Sequence, residues 1–202
     1  MWYILLMTYP TKTFNISQLD GISEKQIKVH LGLYEGYVKH VNLIMEKLKT
    51  FKGDTDGDAY LATELRRRLA FEFNGMRMHE YYFEQFEGIK DWNPSSRLAV
   101  VAAEKYGSGE NFIGHIKKVA ESRGTGWVVV YSDPGINVLH TVFVNDHEVG
   151  QLAGLPIVFA LDLWEHAYMI DYVPVEKKNY IDAFFGNLNW EVVEKRFEES
   201  VK

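Results

Sequence analysis

The stretch from Leu155 to Tyr172 constrains this chain more than any other. An apolar run, Leu155-Pro156-Ile157-Val158-Phe159-Ala160, leads directly into the string LDLWEHAYMIDY, residues 161–172. A helix entered here sets Asp162 and His166, four residues apart, on one face. Both side chains then reach one ion, with Trp164 placed to exclude water and Glu165 beside His166. A carboxylate and an imidazole behind an aromatic screen suit a first-row transition metal. The same spacing also suits a buried histidine paired with an aspartate, since a metal site needs further ligands.

Those ligands can only be nitrogen or oxygen. The 202 residues include no cysteine, which removes disulfides and thiolate sites and leaves iron, manganese or zinc held by His, Asp or Glu. A net charge of −6 with no basic block argues against nucleic acid as a partner. The opening MWYILLMTYP lacks a positive flank, is stopped by Pro10 and is too short to span a bilayer, so no membrane partner is expected. Composition thus points to a cytoplasmic globular enzyme of one or two small domains.

Along the chain, residues 1–20 read as an irregular or extended arm. Ser23-Glu24-Lys25-Gln26 is a capping-box pattern, and Ile27, Leu31, Tyr34, Val38, Val41, Met45 and Leu48 recur at helical spacing as far as Thr50. Gly32 and Gly36 inside this helix mark a bend or a close contact. Residues 51–58 read as a polar loop; its Asp54-Thr55-Asp56-Gly57-Asp58 places glycine too early for a calcium-binding loop and is a turn. A second helix over 59–87 completes an antiparallel hairpin. After a Pro94-containing link come helices at 98–106 and 111–123 and strands at 127–131, 137–144 and 155–161. Helical segments follow to 199. The layout is α+β: an N-terminal antiparallel helical hairpin (1–92), then a mixed domain (93–202) with a three-stranded antiparallel sheet, the metal site lying between them.

The string Asp162-x-Trp164-Glu165-His166-Ala167-Tyr168 resembles the signature of the iron/manganese superoxide dismutases, whose layout is the same. The resemblance covers nearly the whole chain, most strongly residues 124–198. It implies one histidine from each N-terminal helix, mapping to His30 and His79, which with Asp162 and His166 would hold one iron or manganese ion per subunit. By the same resemblance Tyr37 is the gateway tyrosine of the substrate funnel, and Phe83, Trp127 and Trp164 screen the ion from water. Glu165 and Tyr168 fall at dimer-interface positions, implying a homodimer or tetramer, and Lys177 at a position that attracts superoxide. Any one of these residues taken alone also suits ordinary packing or a solvated surface; His40 and His115 read as surface residues and His140 has no assigned role.

The chain departs from the commoner family pattern, H-x-x-x-H-x-x-x-Y-V. Tyr34 replaces the second histidine, and Tyr37-Val38 arrive one residue early. The glutamine that bonds metal-bound solvent in that family is missing from Val144-Asn145-Asp146-His147-Glu148. His147 is expected to take its role, since an imidazole can both donate and accept; ungapped counting back from Asp162 selects Asp146 instead. Loss of the manganese-type glutamine inclines the metal toward iron. The expected activity is superoxide dismutation at a mononuclear ion. The alternative is a non-catalytic metal-binding homodimer of the same fold, and an iron oxygenase is disfavoured because three imidazoles and a carboxylate nearly fill the ion.

Overall fold

The structure is a computed structural model and describes residues 8–51 and 56–202. The first residues of the arm and the Asp54-Thr55 pair of the expected turn lie outside the described residues. Residues 8–20 form an extended arm on the helical hairpin: Tyr9 exchanges hydrogen bonds with Asn42, the Lys12 amide donates to Tyr34 Oη, and Lys12 Nζ reaches Glu80 and Glu84.

The first helix, α1, runs Glu24–Leu48, and Ser23 caps it by accepting the Gln26 amide. The Gln26 side chain does not close the capping box; its Nε2 donates to His166 O and its Oε1 accepts from the Ile170 amide, tying the start of α1 to a segment 140 residues away. Buried positions on α1 are Gln26, His30, Tyr34, Val38, Val41 and Ile44. The helix is unbroken through Gly32 and Gly36, and a Cβ on either would meet open space. Neither a bend nor a close contact explains them.

Helix α2 runs Asp56–Glu84, so the stretch read as loop is already helical at Asp56; acidic side chains in a first turn favour the positive end of the helix dipole. Its pairing with α1 is the expected hairpin. Two capped helices follow, α3 (Arg97–Tyr106) and α4 (Gly109–Ala120). They cover a three-stranded antiparallel sheet of order β2-β1-β3, with β1 Gly126–Asp133, β2 Val138–Asn145 and β3 Ile157–Asp162. Register sets Trp127 opposite Val144 on one side and Asp162 on the other. Gly126 approaches β2 so closely that a Cβ there would overlap Val144 O. Helices α5 (Lys177–Gly186) and α6 (Trp190–Ser200) close the chain, α6 packing on β3. The α+β layout therefore stands. Among the described residues, no helix is long and apolar enough to cross a membrane.

A further expectation fails. Asp162 and His166 do not share a helix: Asp162 is the last residue of β3, and His166 sits in a 3₁₀ turn, Glu165–Ala167. The Asp162 Oδ1 accepts the Trp164 amide at 2.8 Å. Such a local side-chain-to-backbone bond competes with helix formation and turns the chain out of the sheet instead.

Candidate metal centre

His30, His79, Asp162 and His166 converge, with one ligand atom from each lying within 4.8 Å of the others. The first three are fully buried, and His166 keeps 20 % of its side chain exposed. Asp162 Oδ2 is the hub, 3.0 Å from His30 Nε2, 3.2 Å from His166 Nε2 and 3.6 Å from His79 Nε2. Two ligands each about 2.1 Å from an ion are about 3.0 Å apart at a right angle and about 3.6 Å apart at 120°. These separations are those of donors around a common centre.

Proton positions support that fit. His79 Nδ1 lies 2.6 Å from the Gly75 carbonyl, which can only accept, so Nδ1 carries the proton and Nε2 offers its lone pair to the centre. That Nε2 is buried and has no hydrogen-bond partner among the described residues. A buried polar atom without a partner costs about 1–3 kcal/mol, which a bound cation removes. Burial, reinforced by the neighbouring His30, pushes the His79 pKa well down; burial also lowers that of His30. Burial opposes ionisation of Asp162, yet His166 and His30 outweigh it and hold its carboxyl well below the usual range. Lowered His30 and His79 pKa values beside a carboxylate held ionised are in the direction that metal binding requires.

The hairpin contributes by rotation alone. On a regular helix the i+7 residue lies about 20° from i, whereas i+8 lies about 80° away. The early arrival of Tyr37 therefore keeps it in line with His30 on the uninterrupted α1. Its ring packs 5.1 Å from that of His79, and its Oη is 2.8 Å from His147 Nε2. Gly75 makes room for it: a Cβ there would lie 2.6 Å from Tyr37 Cδ1.

His147 is buried beside the cluster, while Asp146 is exposed, its amide donating to Thr125 O at 3.1 Å and its carbonyl accepting from Trp164 Nε1 at 3.4 Å. The Trp127 indole donates to His147 Nδ1 at 2.9 Å. Nδ1 is thus an acceptor, and in the neutral ring the proton sits on Nε2 and is donated to Tyr37 Oη. Burial pushes the His147 pKa down to about 4, so the ring is neutral near pH 7.

Aromatic rings surround the four converging side chains. Phe83 lies 4.8 Å from His30, Trp127 stands edge-on 5.1 Å from His79, and Trp164 stacks on His147 at 4.9 Å and on His166 at 5.5 Å. Tyr34 turns away toward the arm, its Oη donating to Glu80 at 3.2 Å. Burial pushes its pKa up to about 12. Glu165 is exposed and accepts from Thr125 Oγ1, whereas Tyr168 is 5 % exposed and stacks on Tyr180. Lys177 Nζ donates to Ser122 O, and burial lowers its pKa.

Several supporting residues carry no motif. Gln85, fully buried on the last turn of the hairpin, gives its Nε2 to Ala160 O at 2.7 Å and takes the Ala160 amide on Oε1 at 3.0 Å. Tyr180 Oη donates to Asp162 O at 2.8 Å, and Asn74 Nδ2 to His147 O at 2.8 Å. The apolar groove of about 520 Å³ between residues 16–22 and α1 borders none of the four converging residues.

Residues 94–196 match the family model for the C-terminal domain of the iron/manganese superoxide dismutases. The chain is 32 % identical to the iron superoxide dismutase of Saccharolobus solfataricus, covering 94 % of this chain and 92 % of that protein. It is 33 % identical to the iron superoxide dismutase of Aquifex pyrophilus, covering 91 % and 88 %, and 29 % identical to the manganese/iron superoxide dismutase of Aeropyrum pernix, covering 95 % and 91 %. With both the signature over its C-terminal half and similarity over almost its full length, the chain belongs to the iron/manganese superoxide dismutase family.

Proposed function

We infer that His30, His79, Asp162 and His166 hold one iron or manganese ion, at which this superoxide dismutase converts superoxide to dioxygen and hydrogen peroxide. The observation that carries the ligand assignment is the unpartnered His79 Nε2, buried and aimed at the oxygen that His30 and His166 also approach. When bound, the ion supplies the electron exchange, oxidising one superoxide and reducing the next.

The protein supplies geometry and protons. Asp162 provides the negative charge that balances a cation in a buried setting. Phe83, Trp127 and Trp164 keep bulk water from the ligands. His147 donates from Nε2 to Tyr37 Oη, which leaves the Tyr37 O–H proton free to be directed to an incoming anion. Trp127 fixes this polarity by occupying His147 Nδ1. Peroxide formation consumes two protons, and the Tyr37–His147 pair is the relay that delivers them. Iron is the metal we favour, on the missing glutamine and the iron-named relatives.

The reading extends to a two-domain layout with a border near residue 92, supported by the family match beginning at residue 94. It also extends to a homodimer in the cytoplasm. Glu165 is available to a second copy, flanked by the exposed Met169 and Ile170; Tyr168 backs that surface from within.

The test is turnover per bound ion. Protein loaded separately with iron and with manganese should consume superoxide catalytically, with metal content near one ion per chain by elemental analysis. Loaded protein that does not turn over sinks the relay assignment, and protein that binds neither metal sinks the ligand assignment.

A further inference from the structure

We propose that Arg68, clamped on α2 by Glu72 and Phe71, is the cation that draws superoxide to Tyr37. The inference rests on the dismutase reading and adds a residue to it. Tyr37 borders an open cavity of about 250 Å³ whose other walls are Gly32, Leu33, Gly36, His40, Arg68 and Glu72. The two glycines carry no Cβ over it, and added ones would meet nothing within 4 Å. This is the reason the sequence left open for two glycines inside a good helix: they keep the approach to Tyr37 wide.

Charge at this mouth is arranged unevenly. The Arg68 guanidinium is half exposed, whereas the Glu72 side chain is 4 % exposed and lies behind it, paired at 2.6 Å. Burying the carboxylate and presenting the cation leaves a positive face outward, even though the pair is neutral as a whole. The guanidinium is also fixed: its carbon lies 4.0 Å above the Phe71 ring, and that ring is 4.6 Å from His147. Phe71 thus bridges Arg68 to the relay, within about one Debye length at physiological salt. Glu72 Oε2, buried and without a hydrogen-bond partner among the described residues, faces His40 Nδ1 at 3.4 Å. Lys177 is not among the walls of the cavity that Tyr37 borders.

Spacing on α2 gives the same answer. Arg68 precedes His79 by eleven residues, about three helical turns, so both lie on one stripe. Antiparallel pairing with α1 carries that stripe outward past Tyr37. A small anion arriving at Arg68 is therefore already on the helix face that leads to the ligands. Arg68 acts here as a steering residue; it touches neither the ion nor its ligands.

The experiment measures kcat/KM for superoxide by pulse radiolysis on the iron-loaded protein across ionic strength. Arg68→Gln should lower kcat/KM roughly three- to fivefold at low salt and converge on wild type at high salt, with kcat and iron content unchanged. Arg68→Glu should lower it about tenfold or more and reverse the salt dependence. Lys118→Gln, which removes a cation on α4, should change neither. Retention of the wild-type rate and salt slope by Arg68→Glu overturns the proposal. Wild-type turnover in the same assay tests the dismutase reading separately, so the two can fail independently.

Discussion

The two halves of the molecule hold their candidate metal ligands by different means. His30 and His79 project from long unbroken helices, and among the described residues the one hydrogen bond from either to backbone runs from His79 to Gly75 on its own helix. Helix rotation and the packing of Phe83 and Tyr82 set their direction. Asp162 and His166 stand at a strand end and in a 3₁₀ turn, conformations that fix little by themselves. They are held by polar tethers arriving from elsewhere: Tyr180 and the Trp164 amide on Asp162, Gln26 on the backbone of His166, Gln85 on β3 two residues upstream. Packing makes the first pair rigid, and hydrogen bonds make the second pair precise. The halves should therefore fail differently.

The largest effect belongs to Asp162, the one atom group both halves share. Asp162→Ala removes the oxygen that His30, His79 and His166 all approach, and should leave about a tenth or less of the wild-type metal content. Elemental analysis after loading reads this directly. A variant that retains a full complement of iron would mean that the histidines alone define the site.

Next comes the tether at the sheet edge. Gln85→Leu keeps the volume but leaves the buried amide and carbonyl of Ala160 without partners. Two buried unsatisfied backbone groups should cost roughly 4 kcal/mol of unfolding free energy. Because Ala160 is two residues from Asp162, metal release should accelerate as well, whereas shaving Leu69 on the hairpin to alanine should lower stability without changing the release rate. Equal release rates in the two variants would erase the distinction between packing and tethering.

The sequence discloses the two halves unequally, for the same physical reason. The Ser23 cap and the in-line placement of His30, Tyr34 and Tyr37 follow from local rules with a period of 3.6, so α1 could be read nearly to its ends. The Asp162–His166 spacing suggested a helix because four residues is a helical interval; the Asp162 side chain instead captures the Trp164 amide, a competition that spacing does not reveal. The choice between Asp146 and His147 is open on counting alone; that the His147 ring lies buried between Trp127 and Tyr37 while Asp146 is exposed comes from tertiary contacts that counting does not reveal. Gln26 was legible as a cap partner and not as a tether, since its true partners lie 140 residues on. Gln85 and Arg68 belong to no motif. Each does its work through a neighbour that only the tertiary fold supplies.

Acid should weaken the metal-free protein through its buried imidazoles. Burial pushes His147 from the ordinary 6.5 to about 4, so between those values the unfolded chain binds a proton that the folded chain does not. Stability then rises with pH across that window: the contribution is complete above about pH 6.5 and is lost as pH falls toward 4. His147 alone should account for roughly 2 kcal/mol between pH 7.5 and 4.5, and burial drives His30 and His79 the same way. Urea unfolding of metal-free protein at the two pH values measures it, with His147→Gln as the comparison whose pH slope should be shallower. An unchanged slope in that variant would show that the ring is not held neutral by the fold.

The smallest effect tests the link between the halves. Gln26 sits on the first turn of α1 yet bonds His166 O at 2.6 Å and the Ile170 amide at 3.0 Å, so a side chain of the helical half grips the loop that carries His166. Gln26→Leu preserves helix propensity and the Ser23 cap, which uses only the Gln26 backbone. Two partly buried bonds are lost, worth about 1–2 kcal/mol together, because water can reach part of this edge. If tethering is what makes the loop precise, the loss should appear less in the melting temperature than in metal affinity, with His166 loosened and the other ligands unmoved. A chelator competition should show iron held severalfold more weakly, while circular dichroism of the helices stays the same. Were the melting temperature to fall with affinity intact, Gln26 would be a packing residue, and the loop would owe its position to the sheet alone.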